Sequence, residues 1–134
     1  MKVLFVCTLN AVRSPMAEAL AKEAFPKHQF YSAGLIEGPS DYFAIEVMNE
    51  IGLDISKRKA RSIEEIKNEK FDLIICLAEE VKKSASDFLN KNAPRVEYWD
   101  VPSPGLIGGN RIMKLFGYRE IRDKIRSQIR LLSL

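Results

Sequence analysis

Residues Met1–Ala19, MKVLFVCTLNAVRSPMAEA, decide how the rest of the chain reads. Lys2 to Val6 has the length and apolar character of a buried strand, and Cys7 to Arg13 that of a tight turn. Ser14 opens a helix with Pro15 at its first position, where a missing N–H costs nothing. Cys7 is therefore expected where a strand ends and a helix begins. Such a junction aims the turn's backbone N–H groups and the positive end of the helix at one point, which makes an anion site. A cysteine at a helix N-terminus beside a cation favours its thiolate, the nucleophilic form, and Arg13 supplies the cation. Because a guanidinium forks onto two phosphate oxygens, Cys7 and Arg13 facing one pocket would set a nucleophile beneath a clamped phosphoryl group. The spacing Cys-x5-Arg alone is weak evidence, since about one cysteine in twenty has an arginine six residues on by chance. A small buried hydrophobe at a strand end is the plain alternative. Strand, cysteine, turn, Arg-Ser-Pro and helix in succession favour a functional loop.

Outward from this stretch, Gln29 to Ala33 reads as a short strand that stops at Gly34. Asp41 to Ile51 carries apolar residues at Phe43, Ala44, Val47, Met48 and Ile51, a helical period closed by Gly52 at the C-cap position. Lys57 to Arg61 is a basic loop, either a solvated face or a support beside the phosphate site. Ser62 and Glu65 form a capping-box pattern for a short helix through Asn68. Phe71 to Leu77 is a continuous apolar strand with Cys76 as core filler. A helix over Glu79–Leu89 and a strand over Arg95–Trp99 follow. The final helix, Arg111–Leu131, is expected to be interrupted near Gly117; Ile121, Ile125 and Ile129 share one face, with Arg119, Arg122, Lys124 and Arg126 mostly elsewhere. Four strands alternating with helices imply an α/β fold, a doubly wound four-stranded parallel sheet of flavodoxin-like order 2-1-3-4 with helices on both faces. In such sheets the ligand lies past the C-terminal ends of the strands where the winding reverses, which is where Cys7 falls.

The chain has 134 residues, of which 46% are hydrophobic and 29% charged, so one domain spanning 1–134 with one core is expected. No apolar run approaches the roughly 18 residues of a membrane span, and the N-terminus lacks signal-peptide regions, so the expected location is cytoplasmic. Two cysteines, Cys7 and Cys76, and one histidine, His28, offer no disulfide scaffold and no metal spacing, which leaves a chemistry without metal or cofactor. His28 reads as a solvated turn residue. The net charge of +3 and pI near 8.9 suit an anionic substrate. Without a Lys/Arg run interleaved with aromatics they do not indicate nucleic acid.

The segment Cys7-Thr8-Leu9-Asn10-Ala11-Val12-Arg13-Ser14-Pro15-Met16-Ala17-Glu18 resembles the phosphate-binding loop and first helix of the low-molecular-weight protein tyrosine phosphatases and their relatives, the thiol-dependent arsenate reductases. The resemblance continues through Ser32-Ala33-Gly34, Gly38-Pro39 with Asp41 and Ala44, Gly52-Leu53-Asp54-Ile55-Ser56, Ala60-Arg61 and Phe71-Asp72-Leu73-Ile74-Ile75. It implies hydrolysis of a phosphorylated protein or a small aryl phosphate through a cysteinyl-phosphate. Cys7 would be the nucleophile and Arg13 the clamp. The backbone N–H groups of Thr8, Leu9, Asn10, Ala11, Val12 and Arg13 would donate to the phosphoryl oxygens, where inorganic phosphate or sulfate would also bind. Ser14 would donate to the sulfur, and Asn10 would brace the loop.

The family's general acid is an aspartate directly before a proline, and in Tyr98-Trp99-Asp100-Val101-Pro102-Ser103-Pro104 the aligned residue is Ser103. Asp100, three positions upstream, is the nearest carboxylate and stands as the candidate acid only if the loop folds differently; otherwise it is a turn or cap residue. Val12 replaces a second, redox-protective cysteine, Leu9 a common glycine, and Arg58 a supporting histidine. The paired tyrosines that follow the acid in some members are missing after Pro104. The rival activity is arsenate reduction with an external thiol, since Cys76 aligns two residues before the relay position and no cysteine follows it. A catalytically weak domain that binds phosphate or phosphotyrosine is a further alternative, and an unrelated flavodoxin-like binding domain is another.

Overall fold

The computed structural model describes residues 1–134. β1 (Lys2–Cys7) leads to α1 (Arg13–Ala24), β2 (Gln29–Gly34), α2 (Tyr42–Asn49), a 3-10 turn (Ile63–Ile66) and β3 (Leu73–Cys76). α3 (Glu79–Ser84), α4 (Ser86–Asn92), β4 (Arg95–Tyr98), a second 3-10 turn (Pro104–Leu106) and α5 (Arg111–Arg130) complete the chain. The strands form one parallel sheet in the order β2-β1-β3-β4. Successive strand residues point to opposite faces, and Val3, Leu4, Phe5 and Val6 are all fully buried. The central strand is therefore covered on both sides. α1 packs on β1, β2 and α5, and α5 in turn on α2, while α3 lies against β3 and α4.

Several elements differ from what the sequence suggests. The helix expected over Glu79–Leu89 is two helices, because the backbone leaves helical geometry at Ala85 (φ −130°, ψ 30°). Ser84 and Ser86 flank the break, and serine side chains compete for backbone partners inside helices. The capping box at Ser62 does not form: its side chain makes no cap bond, and its backbone instead bridges to Gly34 as an extension of the sheet. α5 runs without interruption through Gly117, whose missing side chain makes room for Ile107; a Cβ there would come within 2.9 Å of the Ile107 side chain. Arg122, read as facing away from the apolar stripe, is buried between helices, donating from Nη1 to Val47 O at 2.7 Å and to Glu50 Oε1 at 2.9 Å. Its neighbour Arg119 also grips Glu50, with Nη2 2.7 Å from Oε2. His28 is half-buried, with Nδ1 2.8 Å from the Met1 amino nitrogen and its ring against Phe25 and Phe30. No helix is long and apolar enough to cross a membrane.

Candidate active site

The sulfur of Cys7 lies at the C-terminal end of β1, beside the crossing from β2 to β3 where the strand order reverses. It is 2% exposed and forms the floor of a cavity of about 400 Å³. Leading away from it, the carbonyls of Cys7, Thr8 and Leu9 turn outward and accept from the N–H groups of Leu35 (3.0 Å), Ile36 (3.1 Å) and Gly38 (2.8 Å). The N–H groups of Thr8 through Arg13, by contrast, donate to no other protein group. A run of unpaired donors around one sulfur, at the N-terminus of α1, is a cradle for an anion. This loop can lie so close to β2 because residue 34 is glycine: a Cβ there would sit 2.6 Å from Asn10 N.

Asn10 holds the loop from inside. It is fully buried and adopts φ +54°, a left-handed conformation that asparagine tolerates better than most residues. Nδ2 donates to Ser14 Oγ (2.9 Å) and Ser32 Oγ (3.0 Å), while Oδ1 accepts from Arg61 N (2.9 Å) and from the Arg58 guanidinium. Two residues of the basic loop thus sit behind the cradle. Burial draws the pKa of Arg58 down from its ordinary value, opposed by the negative charges of Glu18 and Cys7. Ser14 Oγ stands 2.9 Å from Cys7 Sγ and 3.4 Å from Ala33 O.

Arg13 begins α1 and is 7% exposed. Nη1 donates to Leu77 O (3.2 Å) and Val101 O (3.3 Å), the carbonyls just past β3 and near the end of β4, and Nη2 donates to Thr8 Oγ1 (3.3 Å). Three of its five N–H groups are thereby used, and Nε with the second Nη2 proton remains free to fork onto an oxyanion.

Thr8, Leu9, Ala11, Val12 and Arg13 all line the cavity, together with Ser103 and Pro104. Asp100 does not; it lines an adjoining hollow with Trp99, Tyr98 and Cys76. Val101 is buried and its carbonyl accepts from Arg13. Trp99 packs against Phe5, ring centres 6.0 Å apart, under the loop. Cys76 Sγ donates to Ala78 O (3.2 Å), and burial pushes its thiol up.

Three further residues of the cavity wall have no role that the sequence pattern implies. Asp41 caps α2, accepting from Ala44 N at Oδ1 (3.0 Å), and accepts from the Tyr118 hydroxyl at Oδ2 (2.9 Å). Burial, with the Asp41 carboxylate adding to it, pushes the Tyr118 phenol well above its ordinary value. Glu80 accepts from Thr8 Oγ1 at 3.3 Å. Asp41 had a signal, the Gly38-Pro39…Asp41 pattern; Glu80 and Tyr118 had none, because each is one polar residue on a helix whose cavity-facing side is set by the tertiary fold.

The fold is thus a doubly wound sheet with a buried cysteine at the C-terminal end of its central strand, next to a loop of unpaired N–H groups and an anchored arginine. The sequence profile described as "Low molecular weight phosphotyrosine protein phosphatase" matches residues 2–133, and the chain belongs to that family. It is similar to the low molecular weight protein-tyrosine-phosphatase PtpB of Staphylococcus aureus, 54% identical over 46 residues, a stretch that covers 31% of this chain and 33% of that protein. Along most of its length it is similar to an arsenate reductase of Bacillus subtilis, 29% identical over 131 residues, covering 96% of this chain and 91% of the relative. Among solved structures, one titled as an arsenate reductase in the phosphate binding state superposes with a TM-score of 0.79 at 28% identity, covering 97% of this chain and 95% of that one.

Proposed function

We propose that the chain is a phosphomonoester hydrolase that acts on aryl phosphates or phosphotyrosine through a cysteinyl-phosphate. The observation that carries this reading is the Cys7 sulfur on the floor of a cavity ringed by unpaired N–H groups, with Ser14 Oγ at 2.9 Å and Arg13 anchored above it. The thiolate attacks phosphorus, the S–P bond forms, and the P–O bond to the aryl group breaks with its electron pair leaving on oxygen. Loop N–H groups and the free Arg13 donors hold the equatorial oxygens, whose charge is where phosphoryl transfer needs stabilisation. Ser14 donates to sulfur when water later displaces it from phosphorus. A solved structure of similar fold is titled as an arsenate reductase in the phosphate binding state, which supports inorganic phosphate as a ligand of this chain.

The test is hydrolysis of nitrophenyl phosphate together with vanadate binding. Cys7→Ser abolishes turnover and retains vanadate, whereas Arg13→Ala loses both. Turnover that survives in Cys7→Ser would falsify the covalent route.

Arsenate reduction is the second reading, favoured by the similarity to arsenate reductases along most of the chain. An internal relay is disfavoured by Cys76, which lines the adjoining hollow and whose buried thiol resists ionisation. The purified chain therefore does not reduce arsenate with thioredoxin alone; sustained thioredoxin-driven turnover would require a path from Cys76 to Cys7 and would overturn this.

A further inference from the structure

We propose that Glu80 is the proton donor to the leaving group, in place of the carboxylate that is missing at position 103. The inference rests on the phosphatase reading above and deepens it.

The cavity above Cys7 has two carboxylates in its wall, Asp41 and Glu80. Asp41 has an oxygen committed to the N-terminus of α2 and the other to the Tyr118 hydroxyl, so a proton on either would break a bond that holds the fold. Tyr118 points its own proton at Asp41 and has none to spare for a substrate. Glu80 is tied to another residue only through the 3.3 Å bond from Thr8 Oγ1 to Oε2. Position also favours it. In-line displacement puts the leaving oxygen on the side of phosphorus away from the buried sulfur, toward the open side of the cavity, and Glu80 is an exposed residue of that cavity's lining. Glu80 is also placed with respect to the phosphoryl group, because Thr8 Oγ1 accepts from Arg13 Nη2 while donating to Glu80.

Without substrate the Glu80 carboxyl is held below the ordinary range, chiefly by its own backbone N–H, with Thr8, Arg13 and Lys83 assisting against the burial that raises it. A phosphoryl dianion arriving in the cradle opposes all of these by like-charge repulsion and draws a proton from solvent onto Glu80. In the first step the S–P bond forms, the aryl P–O bond breaks, and the phenolate oxygen takes the Glu80 proton. In the second, the Glu80 carboxylate takes a proton from the attacking water as its P–O bond forms and the S–P bond breaks, which returns the thiolate.

Glu80→Gln retains the size of the side chain and an oxygen for Thr8 but cannot donate the proton, and it is compared with the intact chain over aryl phosphates of graded leaving-group pKa. A positioned acid contributes about 10² to 10⁴ in rate, most for the most basic leaving groups. The expected result is a loss of at least about tenfold on phosphotyrosine and phenyl phosphate, little loss on nitrophenyl phosphate, and disappearance of the alkaline limb of the kcat profile. Equal loss across the series means that Glu80 only shapes the loop, and a gain across the series means that it only repels the dianion; either overturns the assignment while the Cys7-dependent hydrolysis of nitrophenyl phosphate still stands. Absence of that hydrolysis in the intact chain overturns both readings.

Discussion

Asn10 shows how much of the cradle depends on one side chain. Its amide joins Ser14 and Ser32, both buried, on one side to the partly buried Arg58 and the Arg61 backbone on the other. Each buried polar group left without a partner costs about 1–3 kcal/mol. Asn10→Ala is therefore expected to lower stability by about 2 kcal/mol or more in a urea titration, and to raise KM for nitrophenyl phosphate as the loop relaxes; an unchanged midpoint would show that water replaces the amide without loss. Position 103 makes a different demand. Ser103 lines the cavity but cannot protonate a phenolate; with Glu80 as the donor, Ser103→Asp should change the ratio of the phosphotyrosine rate to the nitrophenyl phosphate rate little in the intact chain and should raise it in Glu80→Gln, where the proton is missing. Asp100→Asn, outside the cavity, should leave that ratio where it was, and a tenfold fall on phosphotyrosine would bring Asp100 back as the acid. Cys7, Arg13, Ser14 and Asn10 were legible because each is fixed by its offset along a single strand-turn-helix. Glu80 and Tyr118 reach the same cavity from α3 and α5, and no local pattern marks a contact that only the packing of distant elements creates.

The helix that closes the cavity from the side is α5, and its docking on α2 runs through both polar and apolar groups. Continuous apolar runs and the Gly52 stop made β1, β2, β3 and α2 readable to within a residue or two, because burial on a sheet and a left-handed glycine just past a helix end (φ +79° at Gly52, two residues beyond the C-cap Glu50) are set by local chemistry. The course of α5 was not readable. Gly117 signals a break when taken alone, yet it is the seat for Ile107, and Arg122 looks like a solvent residue until Val47 O and Glu50 are placed against it. Tyr118 gives this contact a pH signature. The folded chain keeps the phenol protonated where the unfolded chain has begun to lose its proton, near pH 10. The native state then binds more protons than the unfolded one, so this contribution is complete below about pH 10 and declines as pH rises beyond it. In urea titrations from neutral pH to pH 11, Tyr118→Phe should lose stability at neutrality through the unpaired Asp41 oxygen, and its stability should then fall less steeply than that of the parent at the alkaline end. Parallel curves for the two proteins would mean that neither burial nor Asp41 holds the proton on Tyr118.

Arg13 ties together three separate parts of the molecule: the loop after β1 through Thr8, the carbonyl that follows β3 and the carbonyl that follows β4. An anion in the cradle would be held by the same guanidinium, so its binding and the cohesion of the C-terminal edge of the sheet are linked. A ligand that binds only the folded chain stabilises it by RT ln(1 + [L]/Kd), about 2.7 kcal/mol at a hundredfold excess over Kd. For a chain of this length that is a rise in Tm on the order of 10 °C. Phosphate or vanadate should accordingly raise Tm progressively with concentration in the parent and in Cys7→Ser, whose loop N–H groups and arginine are intact. Arg13→Ala removes the tie as well as the clamp, so its Tm should start lower and respond weakly or not at all to the anion. The two effects separate in the concentration dependence, because a lost tie lowers the starting value while a lost clamp flattens the slope. A mutant that starts lower but rises as steeply as the parent would show that the backbone N–H groups alone bind the anion and that Arg13 is only a structural brace.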